Sequence, residues 1–469
     1  MGISSPGIGT GLDVSSIVEQ LVTLERRPIE QLTTQKTTLQ SKLSAFGLMQ
    51  SYTVNVQDAV NKLTSSSLWQ QTKGSTTDTT VSVSSTAAAA SGTYGIEVSQ
   101  LAQAQTLASA AFSSTSEKVG AGSLKITSAK AGSLPVDVAI GPDDTLDDVR
   151  SKINAANAGL NASIVKDSGG ARLVLRTTAT GEENGVSIVA SGDAGLDKFN
   201  YDPTQNGGAT STATSSQMGL VQAAKNAKIK IDGLEVTSST NTFDGSIEGV
   251  KITVSKVTTG AAQIKVGSDT EAMRKAVDDF VKAYNDINKY ISDQTKYNAD
   301  TKVAGTLQGD RATLSLQSQL RSALTQNSSA SASFPRLSDL GLEIQRDGSL
   351  KVNDTKLSKA MTDNLAEFGK AFSNVDTAAA GNNGFAVRLK GLTSALLKTD
   401  GLVTTRSEGL RDSIRRNEDQ AAKMEGRVAL VQARLLRQYS AMDTTVSKLN
   451  NLNSYVAQQM AALTGSSRD

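Results

Sequence analysis

A chain of 469 residues exceeds what a single hydrophobic core usually supports, so several domains are expected. With 0 Cys and 0 His, thiol chemistry, disulfides, His-based catalysis and nearly all zinc sites are excluded. The 48 basic and 46 acidic residues nearly cancel, giving no warrant for a nucleic acid or an anionic membrane as main partner. Met1-Gly2-Ile3-Ser4-Ser5-Pro6 has neither the basic nor the apolar region of a signal peptide, and no stretch approaches the roughly 18 apolar residues of a membrane span. Any export is therefore expected to proceed without a cleaved signal.

Gly7 to Gly11 reads as a flexible lead-in, and Asp13 as the cap of a helix whose apolar face is Ile17, Leu21, Leu24, Ile29 and Leu32. Pro28 either kinks it or opens a second helix. The pattern resumes through Leu39, Leu43, Phe46, Met49, Val56, Val60 and Leu63, then yields to Thr/Ser-rich sequence at Ser65. Trp69, the only tryptophan, stands at this change of period and is expected to anchor the junction.

Period-two alternation predicts strands at 79–84 and 92–98, a strand pair at 123–127 and 135–140, and a short helix over 146–156. A hairpin is expected at 161–165 and 171–175 around Asp167-Ser168-Gly169-Gly170. Gln205 to Gln217 has no periodicity and reads as a mobile loop. Strands resume at 227–231, turn at Asp232-Gly233, and recur at 236, 250–254 and 262–266.

After Asp269 the period returns to 3.6 with Met273, Val277, Phe280, Val281, Tyr284, Ile287 and Ile291. A second helix spans Asp310 to about Gln326, and a small hairpin flanks Arg346-Asp347-Gly348-Ser349. Helices follow from Asp354, around 385–397, and from about Arg406 onward. That last helix, on the order of 85 Å long if continuous, carries a heptad seam that includes Leu410, Ile414, Ala421, Met424, Val428, Val431, Leu435, Met442, Leu449, Leu452, Val456 and Leu463. Asn417, Gln438, Thr445 and Gln459 interrupt it. The seam either folds against the Val14 to Leu68 helix or is covered on assembly, and the small polar tail from Ala461 is expected to be disordered in the monomer.

The fold class expected is a multidomain α+β chain, with terminal helices forming a coiled-coil-like bundle and β-rich domains inserted in it. Isolated, the first helix would leave its apolar face wet, which disfavours separate helical domains. The expected boundaries are 1–42 as an amino-terminal leg pairing with 436–469, 43–70 and 269–435 as the two parts of a helical domain, 71–115 and 218–268 as the two parts of a β domain, and 116–217 as an inserted α+β domain. Asp143, Asp144, Asp147 and Asp148 form the densest acidic cluster. It reads as helix capping and first-turn charge, since no calcium-loop spacing is present. No catalytic cluster, metal or cofactor is expected.

Several segments resemble one family in order along nearly the whole chain. They are Gly9-Thr10-Gly11-Leu12-Asp13-Val14-Ser15-Ser16-Ile17-Val18, Lys42-Leu43-Ser44-Ala45-Phe46-Gly47 and Tyr94-Gly95-Ile96-Glu97-Val98-Ser99-Gln100-Leu101-Ala102. Further matches are Thr145-Leu146-Asp147-Asp148-Val149 with Leu173-Val174-Leu175, Ile231-Asp232-Gly233, Phe280-Val281-Lys282-Ala283-Tyr284-Asn285, Gly305 to Asp310, and Asp347-Gly348-Ser349-Leu350. The pattern resembles the bacterial flagellar filament cap family, hook-associated protein 2. Gln205 to Gln217 carries none of it.

The resemblance implies a ring of identical subunits at the filament tip, exported by the flagellar type III apparatus with an export chaperone. It implies flagellin and the hook–filament junction proteins as partners, an extracellular location, and a secondary role in adhesion. The interface residues expected are Ile17, Leu21 and Leu24 on the first helix, with Val428, Val431, Leu435, Met442, Leu449 and Leu452 on the last. The alternatives are a hook–filament junction protein and a surface adhesin module.

Overall fold

The computed structural model describes residues 13–205 and 209–465. The lead-in at 7–11, the centre of the expected 205–217 loop and the side chain of Leu463 lie outside the described residues. The helices, in chain order, are α1 (Val14–Thr64), α2 (Ser66–Trp69), α3 (Leu146–Ala155), α4 (Thr270–Thr295), α5 (Arg311–Thr325), α6 (Asp354–Asp363), α7 (Leu365–Ser373), α8 (Phe385–Leu397) and α9 (Leu402–Gly465). Two units result. Met1–Trp69 joins Glu271–Asp469 in one, and Gln70–Thr270 forms the other. The terminal helices thus share one module and the β modules are inserted between them.

In the helical unit, α1 runs as one helix through Pro28, so no second helix opens there. Pro28 offers no N–H to the Leu24 carbonyl, but both residues are exposed, where solvent can serve that oxygen. The core joins Phe46, Met49, Val56, Val60 and Leu63 of α1 to Val277, Phe280, Tyr284 and Ile287 of α4. Leu316 and Leu320 of α5, Phe368 and Phe372 of α7, Leu389 of α8 and Leu410 of α9 complete it. Burial lifts the Tyr284 pKa to about 12, and its hydroxyl donates to the Gly348 carbonyl at 3.1 Å. α9 runs on to Gly465, into the stretch expected to be a disordered tail.

The inserted unit contains two sheet pairs. One is a five-stranded antiparallel sheet in the order Thr72–Thr76, Ala262–Ser268, Gly92–Gln100, Ala227–Ile231, Leu234–Ser238, with a three-stranded sheet of Thr242–Ile247, Val250–Val254 and Val81–Ser85. Ile96, Ile229, Phe243, Ile252 and Ile264 share their core. Asp232 and Gly233, with φ of 49° and 89°, make the two-residue turn that the Asp-Gly pair predicts. The other pair combines Gly219–Gln222, Thr106–Ala108, Gly170–Thr177 and Leu160–Asp167 with a sheet of Val136–Ile140, Gly122–Ser128 and Val186–Gly192. Val149 and Ile153 of α3 enter its core beside Leu124, Leu173 and Phe199.

Candidate functional site

The four acids of the 143–148 cluster are each engaged. Thr145 and Asp148 form a reciprocal capping box on α3, with the Asp148 carboxylate accepting from the Thr145 N–H at 2.9 Å. Asp143 pairs with Lys118, Asp144 with Lys152 and Asp147 with Arg150. The Lys152 ammonium and the Gly141 N–H hold the Asp144 carboxyl below its usual pKa. Among the described residues no group of three or more acidic side chains is placed to hold a metal ion, and no helix is long and apolar enough to cross a membrane.

Trp69 ends the helical segment that leads into the strands. Its ring stacks on Phe372 with centroids 5.6 Å apart and meets Phe368 edge-on at 5.6 Å, while Nε1 donates to the Leu63 carbonyl at 3.0 Å.

The pair formed by α1 and α9 holds the residues expected at an interface. α1 and α9 pack antiparallel. Lys36 pairs with Glu418 at 2.8 Å and Asn417, a polar seam residue, donates to Gln35 at 3.3 Å. Farther along, Val14, Val18 and Val22 cluster with Val428, and Ile29, Leu435 and Tyr439 pack at the edge. These contacts of Val14 to Lys36 fall on the 417–439 stretch of α9. The face that α1 buries here is a correction to the sequence reading. The valines spaced by four are inside, Ile17 is half-buried, and Leu21 and Leu24 are 38% and 55% exposed. On α9, Val428 is buried and Val431 and Leu435 are half-buried. Met442, Leu449 and Leu452 are exposed, as are Tyr455, Val456 and Met460. One heptad seam therefore begins as an internal contact and carries exposed apolar side chains at Met442, Leu449 and Leu452, while Asp443 among them is buried.

Where α9 leaves the helical core, Arg406 holds Asp310. The guanidinium donates from Nη2 at 2.8 Å and Nε at 3.1 Å to an Asp310 side chain that is 3% exposed. Asp310 also caps α5, accepting from the N–H groups of Ala312 and Thr313. This pair was not visible in the sequence, because 96 positions separate its members.

A helical module built from the amino-terminal and carboxy-terminal helices, with β modules inserted in it, is the class of fold, and the acids of the 143–148 cluster serve it as caps and ion pairs. Models of the flagellar hook-associated protein 2 amino-terminus and carboxy-terminus match residues 10–105 and 224–451, and a flagellin hook IN motif matches 123–179. The A-type flagellar hook-associated protein 2 of Pseudomonas aeruginosa is 30% identical, over 98% of this chain and 97% of its own. Flagellar hook-associated protein 2 of Salmonella typhimurium is 30% identical over 98% and 99%. The crystal structure of the flagellar cap protein FliD D1-D2-D3 domains from Escherichia coli superposes with a TM-score of 0.62 at 28% identity, covering 78% of this chain and 99% of that one. The chain belongs to the flagellar hook-associated protein 2 family.

Proposed function

We propose that this protein caps the distal end of a bacterial flagellar filament as a homo-oligomeric ring, retaining exported flagellin and promoting its folding and insertion. The observation that carries this reading beyond family membership is the apolar seam of α9, packed against α1 at Val428, Leu435 and Tyr439 and exposed at Met442, Leu449 and Leu452. Polar positions in that seam weaken it, so the contact can release and re-form as subunits are added. Incoming flagellin would supply the free energy through binding, with no catalytic residue required. In this reading, 1–42 and 436–469 are the leg, 43–70 and 269–435 line the ring, and 71–115, 116–217 and 218–268 form its plate. Ile17, Leu21, Leu24, Val428, Val431, Leu435, Met442, Leu449 and Leu452 are the interface, and Trp69 anchors the junction. Flagellin, the hook–filament junction proteins, an export chaperone and the type III export apparatus are the partners. Adhesion is a secondary role.

The test is the double variant Leu435→Ser, Leu449→Ser, produced from the native locus. It should leave the β modules folded and abolish filament elongation. Capped filaments and normal swimming in that strain would reject the assignment of the seam.

A further inference from the structure

The two edges of the sheet formed by Val136–Ile140, Gly122–Ser128 and Val186–Gly192 differ. Along Val186–Gly192 the backbone groups that point away from the sheet are taken up. The Gln105 side-chain amide bonds both the N–H and the carbonyl of Val186, at 2.8 and 3.4 Å, in place of a peptide unit. Ile188 exchanges two hydrogen bonds of 2.8 Å with the Tyr201 backbone, and the Ala190 N–H donates to Asn200 Oδ1 at 2.7 Å. With 186, 188 and 190 turned outward, 187, 189 and 191 bond the central strand through 127, 125 and 123. Positions 122, 124 and 126 are then left to bond Ile140, Val138 and Val136. Asp137 and Ala139 therefore turn their N–H and carbonyl groups out of the sheet. Both residues are exposed, and no hydrogen bond among the described residues reaches those four groups.

An edge strand with open backbone groups is a template for a further strand. We infer that this edge takes the same strand of a second copy, antiparallel about a two-fold axis at Val138. Asp137 of each copy then lies opposite Ala139 of the other, and all four open groups on each copy are bonded. The donors just beyond are already absent or used. Pro135 has no N–H, and the Gly141 N–H donates to the Asp144 carboxylate at 2.6 Å. The same register sets Leu134 against Pro142 of the second copy. Leu134 is 85% exposed, more than any other large apolar side chain described, and Pro142 is exposed too. Charge agrees with this pairing. Lys130, exposed and without an ion pair, stands on the loop that enters the strand, and Asp143, whose side chain is 86% exposed, on the segment that leaves it. Antiparallel pairing runs one past the other.

The product is one six-stranded sheet whose two outer edges are those sealed by Gln105, Tyr201 and Asn200, so addition stops at two copies. A contact this small is weak and reversible. It is also isologous, and an isologous contact cannot be the repeated contact of a cyclic ring of more than two subunits. The pair is thus an association of the free chain, separate from the α9 seam, and it does not depend on the capping reading.

The chain contains no cysteine, so Asp137→Cys and Ala139→Cys, carried on separate full-length copies, report the register directly. Opposed residues of a bonded pair stand about 5.5 Å apart at Cα, within the span of a disulfide. Mixed and oxidised, the two variants should cross-link, and either alone should give several-fold less. Ala139→Pro removes an outward N–H and spares the ladder to Gly122–Ser128, a place where an edge strand accepts proline. It should weaken dimerisation roughly tenfold by sedimentation, with circular dichroism unchanged. Leu134→Asp changes a side chain already in water and should weaken it several-fold, which keeps the test decisive if the proline variant fails to fold. The Leu435→Ser, Leu449→Ser chain, whose seam is disabled, should still dimerise. A dimer of that chain that survives Leu134→Asp and Ala139→Pro without a 137–139 cross-link overturns the strand pairing. A chain that stays monomeric at every concentration also overturns it, whether or not flagellin then binds the edge, and neither result bears on the capping reading.

Discussion

Removing the Arg406 guanidinium isolates a carboxylate that the fold keeps from water. The Asp310 side chain, 3% exposed, has two donors from Arg406 and two from the first turn of α5, at 3.0 and 3.1 Å. Burial alone would raise its pKa, but Arg406 and the Thr313 N–H outweigh burial and hold the carboxyl below its usual value. Breaking a buried pair from one side costs about 3–5 kcal/mol. Arg406 is itself 41% exposed and the cap donors remain, so Arg406→Ala should cost about 2–3 kcal/mol at neutral pH. A carboxyl with a depressed folded pKa lends stability above its unfolded pKa, and this is lost as the pH falls through the folded value. In the variant, burial acts without the guanidinium, so protonation relieves the cost. The difference between wild type and variant should therefore shrink as the pH falls from 7 towards about 4. Trp69 packs inside the helical unit and is the only tryptophan, so its fluorescence in urea titrations follows this unit. A difference below about 1 kcal/mol at pH 7, or one unchanged down to pH 4, would refute the role given to the pair.

Gly369→Ala would place a Cβ 3.0 Å from Trp69 Cγ; chemical denaturation should show a loss of about 1–3 kcal/mol. Trp69→Ala empties the space beside Phe368 and Phe372 and should cost about 3 kcal/mol in the helical unit, read by circular dichroism. Asp293 lies 2.6 Å from both Lys289 and Lys296, which draw its pKa from 3.8 to about 2. Its carboxyl resonance should titrate near 2, and the stability it lends should persist below pH 3.8 and vanish through pH 2; a midpoint near 4 would contradict the pairing. Thr145→Ala removes one half of the α3 capping box and should cost the inserted unit about 1 kcal/mol by thermal melting, leaving Trp69 fluorescence unchanged.

Much of the architecture was legible because period and turn chemistry agreed. The 3.6 pattern from Met273 to Ile291 became α4, and Asp232-Gly233 became the turn between two strands in register. Composition hid other elements. Thr72–Thr76 is a strand because it pairs with Ala262–Ser268, and nothing apolar in Thr-Lys-Gly-Ser-Thr announces it. On α1, the stripe Ile17, Leu21, Leu24 and the stripe Val14, Val18, Val22 both satisfy helical spacing, and only the partner helix selects between them. The structure buries the shorter β-branched set and leaves Leu21 and Leu24 exposed. The apolar residues of the α9 heptad could be listed from the sequence alone, but which of them pack internally and which stay exposed could not, because that depends on how α1 lies against α9.

Swimming and extracellular flagellin, measured in a strain lacking this gene with and without the purified protein added back, test the capping reading most directly. The account predicts lost filaments, flagellin released into the medium, and filament growth restored by the added protein. Intact filaments and full motility in the deletion strain would contradict it and move the adhesin reading to the front.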